Sequence, residues 1–261
     1  MLNDFDLTGK RVLITGAGRG IGHGIALAMA EAGADVGVTS LGGDTAVKVA
    51  EEVTALGRKG FGWAADATKV APMEALRDQA FEALGGVDIL VNCLGDAIRG
   101  TISEMPGGEG HALTESEWHH VIDVNLTQAY VGCHVFGPHL LAKGAAANVI
   151  NISSFAALRP GANMVAYAAG KTGLTRFTES LALEWAPYKV RVNAVAPGIF
   201  PDIYTMSDAD WQKRNAEVSG VPLNRVGHPR EVGLVSVFLA SDAASYITGQ
   251  TIAIDGGRTL L

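Results

Sequence analysis

Short runs of β-branched residues alternate with longer Ala-, Leu- and Glu-rich segments along the whole chain. Arg11–Thr15 reads Arg-Val-Leu-Ile-Thr, an apolar run suited to a strand buried on both faces. Glycines follow, then a helix from Ile21 to about Ala32. The next pairs are strand Asp35–Ser40 with helix Asp44–Leu56, and strand Gly60–Ala64 with a helix that carries Pro72 near its start and runs to about Leu84. Ile89–Asn92 is a fourth strand. Thr114-Glu-Ser-Glu117 has the spacing of a capping box, in which the threonine and glutamate side chains satisfy the free N–H groups of a helix start, and it opens one long helix towards Lys143. Asn148–Ser153 is strand five, Met164–Trp185 a helix ending ahead of Pro187, and Arg191–Ala196 strand six. Pro229–Ala240 is a helix and Thr251–Asp255 the last strand.

Such alternation predicts an α/β fold: a doubly wound parallel sheet of about seven strands with helices on both faces, Rossmann-type, in a single domain over 1–261. Ligands of these sheets bind beyond the carboxyl ends of the strands, where the strand order reverses. The chemistry is therefore expected just after strands one, four, five and six.

Composition narrows the function. Of 261 residues, 48% are hydrophobic and 18% charged, which excludes wholesale disorder and allows a sizeable core. A net charge of −7 counts against a nucleic-acid partner. No apolar run approaches the roughly 20 residues that span a bilayer, and two acids precede the first base, the reverse of a secretory signal. Neither a membrane nor a nucleic-acid partner is expected. Cys93 and Cys133 form no framework and no CxxC, so a reducing, cytoplasmic setting is expected. Seven histidines raise the question of a metal, but there is no HExxH, and the adjacent His119 and His120 diverge by about 100° on a helix. Surface and packing roles are expected for them, and no metal.

Two motifs carry chemistry. Gly16, Gly20 and Gly22 fall in Thr15-Gly-Ala-Gly-Arg-Gly-Ile-Gly22, between a strand and a helix. Glycines permit the tight turn and let a pyrophosphate approach the free N–H groups at a helix N-terminus. A bare strand-to-helix turn is the alternative. Strand two closes on Ser40 and Leu41 without the carboxylate that usually binds an NAD ribose, and Arg19 is placed to pair with a 2′-phosphate, so NADP(H) is favoured over NAD(H). The second motif follows strand five: Ser154, then Tyr167 and Lys171 at i and i+4 on one helix face. An adjacent ammonium favours the phenolate, the direction needed for a tyrosine to act as general acid or base. Alone, such a pair is usually a surface contact.

Taken together, the chain resembles the short-chain dehydrogenase/reductase family, from about Leu7 to Gly257. The matching motifs are the glycine turn at 15–22, Asp66 after strand three, Asn92–Gly95, Asn125 in Asp-Val-Asn-Leu, Ser154, Tyr167, Lys171, Pro197-Gly198 and the closing Asp255-Gly-Gly. The resemblance implies Tyr167 as catalytic acid/base, Ser154 as the holder of the substrate oxygen, Lys171 as the group that lowers the tyrosine pKa and binds the nicotinamide ribose, and Asn125 as a helix interruption that anchors a water in the proton relay. It implies cofactor contacts from Gly16, Arg19, Gly20, Ile21 and Gly22, from Ser40, Asp66, Ala67, Asn92 and Gly95, from Tyr167 and Lys171, and from Pro197, Gly198 and Ile199. It also implies a homotetramer.

The chain departs from that family in two places. The strand-four motif is Asn92-Cys-Leu-Gly95, and Asp202 stands where a carboxamide-binding Thr is common, leaving Thr205 or a backbone group for that role. The long segment Asp96–Leu113 reads as a mobile loop with a glycine run at 106–110; Asp96–Arg99 is expected to border the substrate and the glycine run to lie away. Candidate substrate contacts are Asp96, Ser154, Tyr167 and Phe200. The expected activity is reversible hydride transfer between NADP(H) and a small secondary alcohol or ketone. The alternatives are an NAD-dependent dehydrogenase of a polyol, sugar acid or steroid, a 3-oxoacyl-thioester reductase, and a dinucleotide-binding sensor without turnover.

Overall fold

Seven parallel strands make one sheet in the order β3-β2-β1-β4-β5-β6-β7. They are β1 (Arg11–Thr15), β2 (Asp35–Ser40), β3 (Gly60–Ala64), β4 (Ile89–Asn92), β5 (Asn148–Ile152), β6 (Arg191–Pro197) and β7 (Thr251–Ile254). The computed structural model describes residues 3–108 and 110–261. The chain starts in mid-sheet, winds outward to β3, returns to lay β4 against the other side of β1, and winds outward again. The order reverses between β1 and β4, so the loops after these two strands part and leave a crevice.

Alternation along β1 shows why helices are needed on both faces. Val12 and Ile14 join one core with Ile25 and Met29 of α1 (Gly20–Glu31), Val49 of α2 (Asp44–Ala55) and Val232 of α8 (Pro229–Ala240). Leu13, between them, joins the other core with Leu76 of α3 (Val70–Leu84), Phe136 of α5 (Gln128–Lys143) and Trp185 of α6 (Val165–Trp185). Successive strand side chains point to opposite faces, so one apolar strand feeds two cores. At the end opposite the crevice, Asp88 accepts from Arg11 N at 2.9 Å and Nε at 2.7 Å and from Lys143 Nζ, which clamps the starts of β1 and β4 to the end of α5.

The elements differ from the pattern-based reading in three places. The expected single helix from Thr114 is divided: α4 (Glu115–Ile122), a π turn at Asp123–Thr127, and α5. Thr114 and Glu117 do form the capping box. A short helix, α7 (Asp208–Ala216), was not expected; it buries no residue, so it carries no apolar stripe to read, although Ser207 caps it by accepting from Asp210 N. The segment Asp96–Leu113 is tied back onto the molecule, with Gly100 N donating to Asn163 O at 3.1 Å and Thr101 N to His111 O at 2.8 Å. Its glycines Gly107 and Gly108 are exposed, with open space on their side-chain sides; Glu109 lies outside the described residues.

Candidate active site

A cleft of about 1100 Å³ opens at the carboxyl ends of the strands. Its walls are the glycine turn, Ser40–Gly42, Ala65–Lys69, Cys93–Ala97, Tyr167, Lys171 and Phe200. It is long enough to have two chemically distinct ends.

The first end is built on the glycine turn. Gly16 has φ +66, and a Cβ there would stand 2.9 Å from Leu94 Cδ1. A Cβ on Gly18 would stand 2.1 Å from Thr45 Oγ1. The turn therefore lies flush against the β4 loop and the start of α2, and only glycine fits that approach. α1 begins at Gly20 with no side-chain cap from Arg19. Arg19 is exposed on the cleft wall beside Ser40, whose Oγ accepts from Gly43 N at 3.1 Å and keeps its own proton to donate. No carboxylate closes β2, and Leu41 is 77% exposed. Across the cleft, Asp66 Oδ1 accepts from Thr68 N at 3.0 Å and Thr68 Oγ1 at 2.6 Å, next to the buried Ala67. Flush glycines, helix N–H groups, a cation and a held carboxylate together fit an adenine dinucleotide.

The second end holds the expected catalytic groups. Lys171 is fully buried, and Nζ donates to Ile152 O at 2.8 Å and Leu94 O at 3.1 Å, the carbonyls that end β5 and follow β4. Burial brings its amine down to about 8, with Cys93 opposing slightly, so it is still an ammonium at neutral pH. Its Nζ lies 6.0 Å from the Tyr167 ring centre. Burial pushes the Tyr167 hydroxyl above its ordinary value; a hydrogen bond with Ser154 works the other way and the Asp96 charge adds to the rise. Burial is thus the dominant influence on the hydroxyl in the protein alone, while the Ile152 and Leu94 carbonyls engage two of the three Lys171 N–H donors. Ser154 lies two residues beyond β5 at the start of a short 3-10 turn (Phe155–Ala157), and its Oγ accepts from Ala156 N at 3.2 Å.

Asn125 sits in the π turn, fully buried, and donates from Nδ2 to Val121 O at 2.8 Å and Asp96 O at 2.7 Å. Its Oδ1 has no partner among the described residues. Gly95 is wedged between these groups: a Cβ there would lie 3.2 Å from Lys171 Nζ and 3.3 Å from Asn125 Oδ1. The family resemblance expected a helix interruption at Asn125, and a π turn is its physical form.

Some expected contacts fall elsewhere. Asn92 is not on the wall. It is fully buried, donating to Asn151 Oδ1 at 2.8 Å, because its side chain alternates inward at the strand end. Asn151 in turn donates to Thr178 Oγ1 at 2.9 Å, so the pair fastens β4, β5 and α6 beneath the site. Pro197 and Gly198 pack on the end of β7, with Gly198 N donating to Ile254 O at 2.9 Å, and Ile199 faces a separate cavity of about 160 Å³. Phe200 and Asp202 form the wall in their place. Thr205 is exposed and bonded to the Asp202 carbonyl. Asp96 borders the cleft as expected, whereas Arg99 is not on its wall.

Two features escaped the sequence reading. His120 lines the cleft, its Nε2 3.3 Å from Asp96 Oδ2. Lys69 Nζ faces Asp123 Oδ2 at 3.7 Å across the cleft. Helical phase relates His120 to one other wall residue: Val124, which also lines the cleft, follows it by four residues.

Similarity to known proteins agrees with this geometry. Residues 16–259 match the family model described as enoyl-(acyl carrier protein) reductase. The 2-dehydro-3-deoxy-D-gluconate 5-dehydrogenase of Escherichia coli (strain K12) is 34% identical over 98% of this chain and 98% of its own. The chain belongs to the short-chain dehydrogenase/reductase family. A crystal structure of a short-chain type dehydrogenase/reductase from Mycobacterium marinum is 32% identical, with a TM-score of 0.86 over 100% of this chain and 99% of that one. A 7α-hydroxysteroid dehydrogenase complexed with NADH and 7-oxo glycochenodeoxycholic acid is 30% identical, with a TM-score of 0.84 over 98% of this chain and 96% of that one. As a member of this family the protein is an oxidoreductase that interconverts alcohols and ketones, and the family uses NAD(P). No helix among the described residues is long and apolar enough to cross a membrane.

Proposed function

We propose that the protein is an NADP(H)-dependent oxidoreductase of a small secondary alcohol or ketone. The observation that carries the proposal is the buried Lys171 ammonium beside Tyr167, in the same cleft as the glycine turn. When bound, the nicotinamide ring supplies or accepts the hydride. The chain does the rest. Ser154 holds the substrate oxygen, Tyr167 gives its hydroxyl proton to that oxygen in reduction and takes it back in oxidation, and Lys171 holds positive charge next to the phenol. The oxidised nicotinamide, when bound, would add positive charge to that of Lys171, supporting proton removal from the phenol in the oxidation direction even though burial raises the tyrosine in the free protein. Asn125 orders the wall behind Lys171 and presents a free acceptor, the place for a water in the proton relay. Arg19 and Ser40 favour the 2′-phosphate form of the cofactor.

Asp96 and His120 at the rim favour one substrate class. Both groups hydrogen-bond hydroxyls, so a polyol or sugar acid suits this rim better than a steroid; the Escherichia coli relative is named for a sugar acid. We further propose the homotetramer that the family resemblance implies and the cytoplasmic setting that the cysteine usage suggests. Tyr130 on α5 and Leu183 on α6, 49% and 79% exposed, are apolar surface available to such an interface, and light scattering coupled to gel filtration measures the assembly. The function is tested by following NADPH and NADH oxidation against a panel of hydroxylated ketones, keto-acids, steroids and 3-oxoacyl thioesters. Turnover with none of them, alongside normal dinucleotide binding, would favour a sensor.

A further inference from the structure

The loop from Ile199 to Ser207 leaves β6 and passes the cleft mouth, and one of its carboxylates lands on the glycine turn. Gly20 N donates to Asp202 Oδ1 at 3.0 Å, and Tyr204 N shares the same oxygen at 3.3 Å. Gly20 is the first residue of α1, so its N–H is one that the helix leaves without an internal partner, with the positive end of the helix dipole behind it. An anionic phosphate is stabilised at such a place. The chain thus covers its own anion site with an anion.

Two further observations describe this contact. The loop is held on α1 by the Tyr204 ring, stacked on His23 with ring centres 3.7 Å apart, and His23 Nε2 lies 3.0 Å from Glu52 Oε2. Asp202 Oδ2, however, is buried with no hydrogen-bond partner among the described residues. A carboxylate with one oxygen bonded and the other buried without a partner is a costly arrangement, readily exchanged for a better one.

We propose that Asp202 is a latch on the dinucleotide site: its carboxylate competes with the cofactor phosphates for the N-terminus of α1, and the Ile199–Ser207 loop must release Gly20 for the cofactor to seat. The latch sets cofactor affinity, and it rests on the reading of the cleft as a dinucleotide site.

Calorimetric titration of the wild type, Asp202→Asn and Asp202→Ala with NADPH, NADH, ADP and adenosine tests it. Asn keeps the shape and an acceptor for Gly20 N–H but removes the charge; Ala removes both. The expected result is tighter ADP and dinucleotide binding in both variants, about tenfold for Ala, or about 1.4 kcal/mol, with adenosine unchanged because it carries no phosphate. Normal dinucleotide binding by the wild type with equal or weaker binding by the variants overturns the latch and leaves the site reading standing. Equal tightening of adenosine also overturns it, since the loop would then act by bulk rather than charge. No dinucleotide binding by any of the three overturns the site reading and the latch with it.

Discussion

Asn125 Nδ2 donates to the Asp96 carbonyl at 2.7 Å, joining the π turn to the loop that leaves β4. The same amide also satisfies Val121 O, one of the carbonyls freed where the helix widens. Asn125→Ala should therefore lower stability by about 1–2 kcal/mol, the cost of leaving buried acceptors unpaired. Asn125→Asp should cost more, because an acceptor would then face two carbonyl oxygens. Chemical denaturation of the three proteins gives the order, and a wild-type midpoint for the alanine variant would show that the link carries no stability.

Turnover should depend on Tyr167 far more than cofactor binding does. Tyr167→Phe removes the proton donor and keeps the ring, so turnover should fall by about two to four orders of magnitude. The dinucleotide dissociation constant should stay within about twofold. Activity near the wild-type level would remove Tyr167 from the proton transfer.

Cofactor choice should answer to the end of β2. Ser40→Asp places a carboxylate on the cleft wall beside Arg19, where it repels a 2′-phosphate. The kcat/KM with NADPH should drop about tenfold or more, while that with NADH changes by less than about threefold. A wild type that already strongly prefers NADH would contradict this reading of Arg19 and Ser40.

Acid stability should report on the clamp at the far end of the sheet. Burial by itself would raise Asp88, but hydrogen bonds from Arg11 and Lys143 outweigh it and hold the carboxyl at about 2, against an ordinary 3.8. A carboxylate held below its unfolded value stabilises the fold above pH 3.8, and that contribution is lost as the pH falls towards 2. At about 1.4 kcal/mol per unit it is worth about 2 kcal/mol at neutral pH. Asp88→Asn should lose about that much at pH 7, and its difference from the wild type should shrink below pH 4. A difference that stays constant from pH 7 to pH 2 would place the cost in lost packing rather than in charge.

Periodicity and glycine spacing were enough to determine the sheet. The seven strands, the helices on both faces and the capped start of α4 follow from local chemistry, since burial on two faces and free helix N–H groups leave marks within a few residues. So do the glycine turn and the Tyr167–Lys171 pair, whose partners lie within one helical turn. Only the tertiary structure decided what depends on distant segments meeting. Asn92 belonged to the motif, yet its partner is Asn151 on the next strand, which turns it from a wall residue into a fastener beneath the site. His120 became a cleft residue because the π turn and the β4 loop bring Asp96 to it. The rise of the Tyr167 hydroxyl was not legible either, because desolvation is a property of the whole enclosure and not of the lysine four residues away. Asp202 reached Gly20 across 182 residues of chain, a contact that exists only because the parallel strands β6 and β1 run out at the same edge of one sheet, where a loop from one can settle on the helix that follows the other.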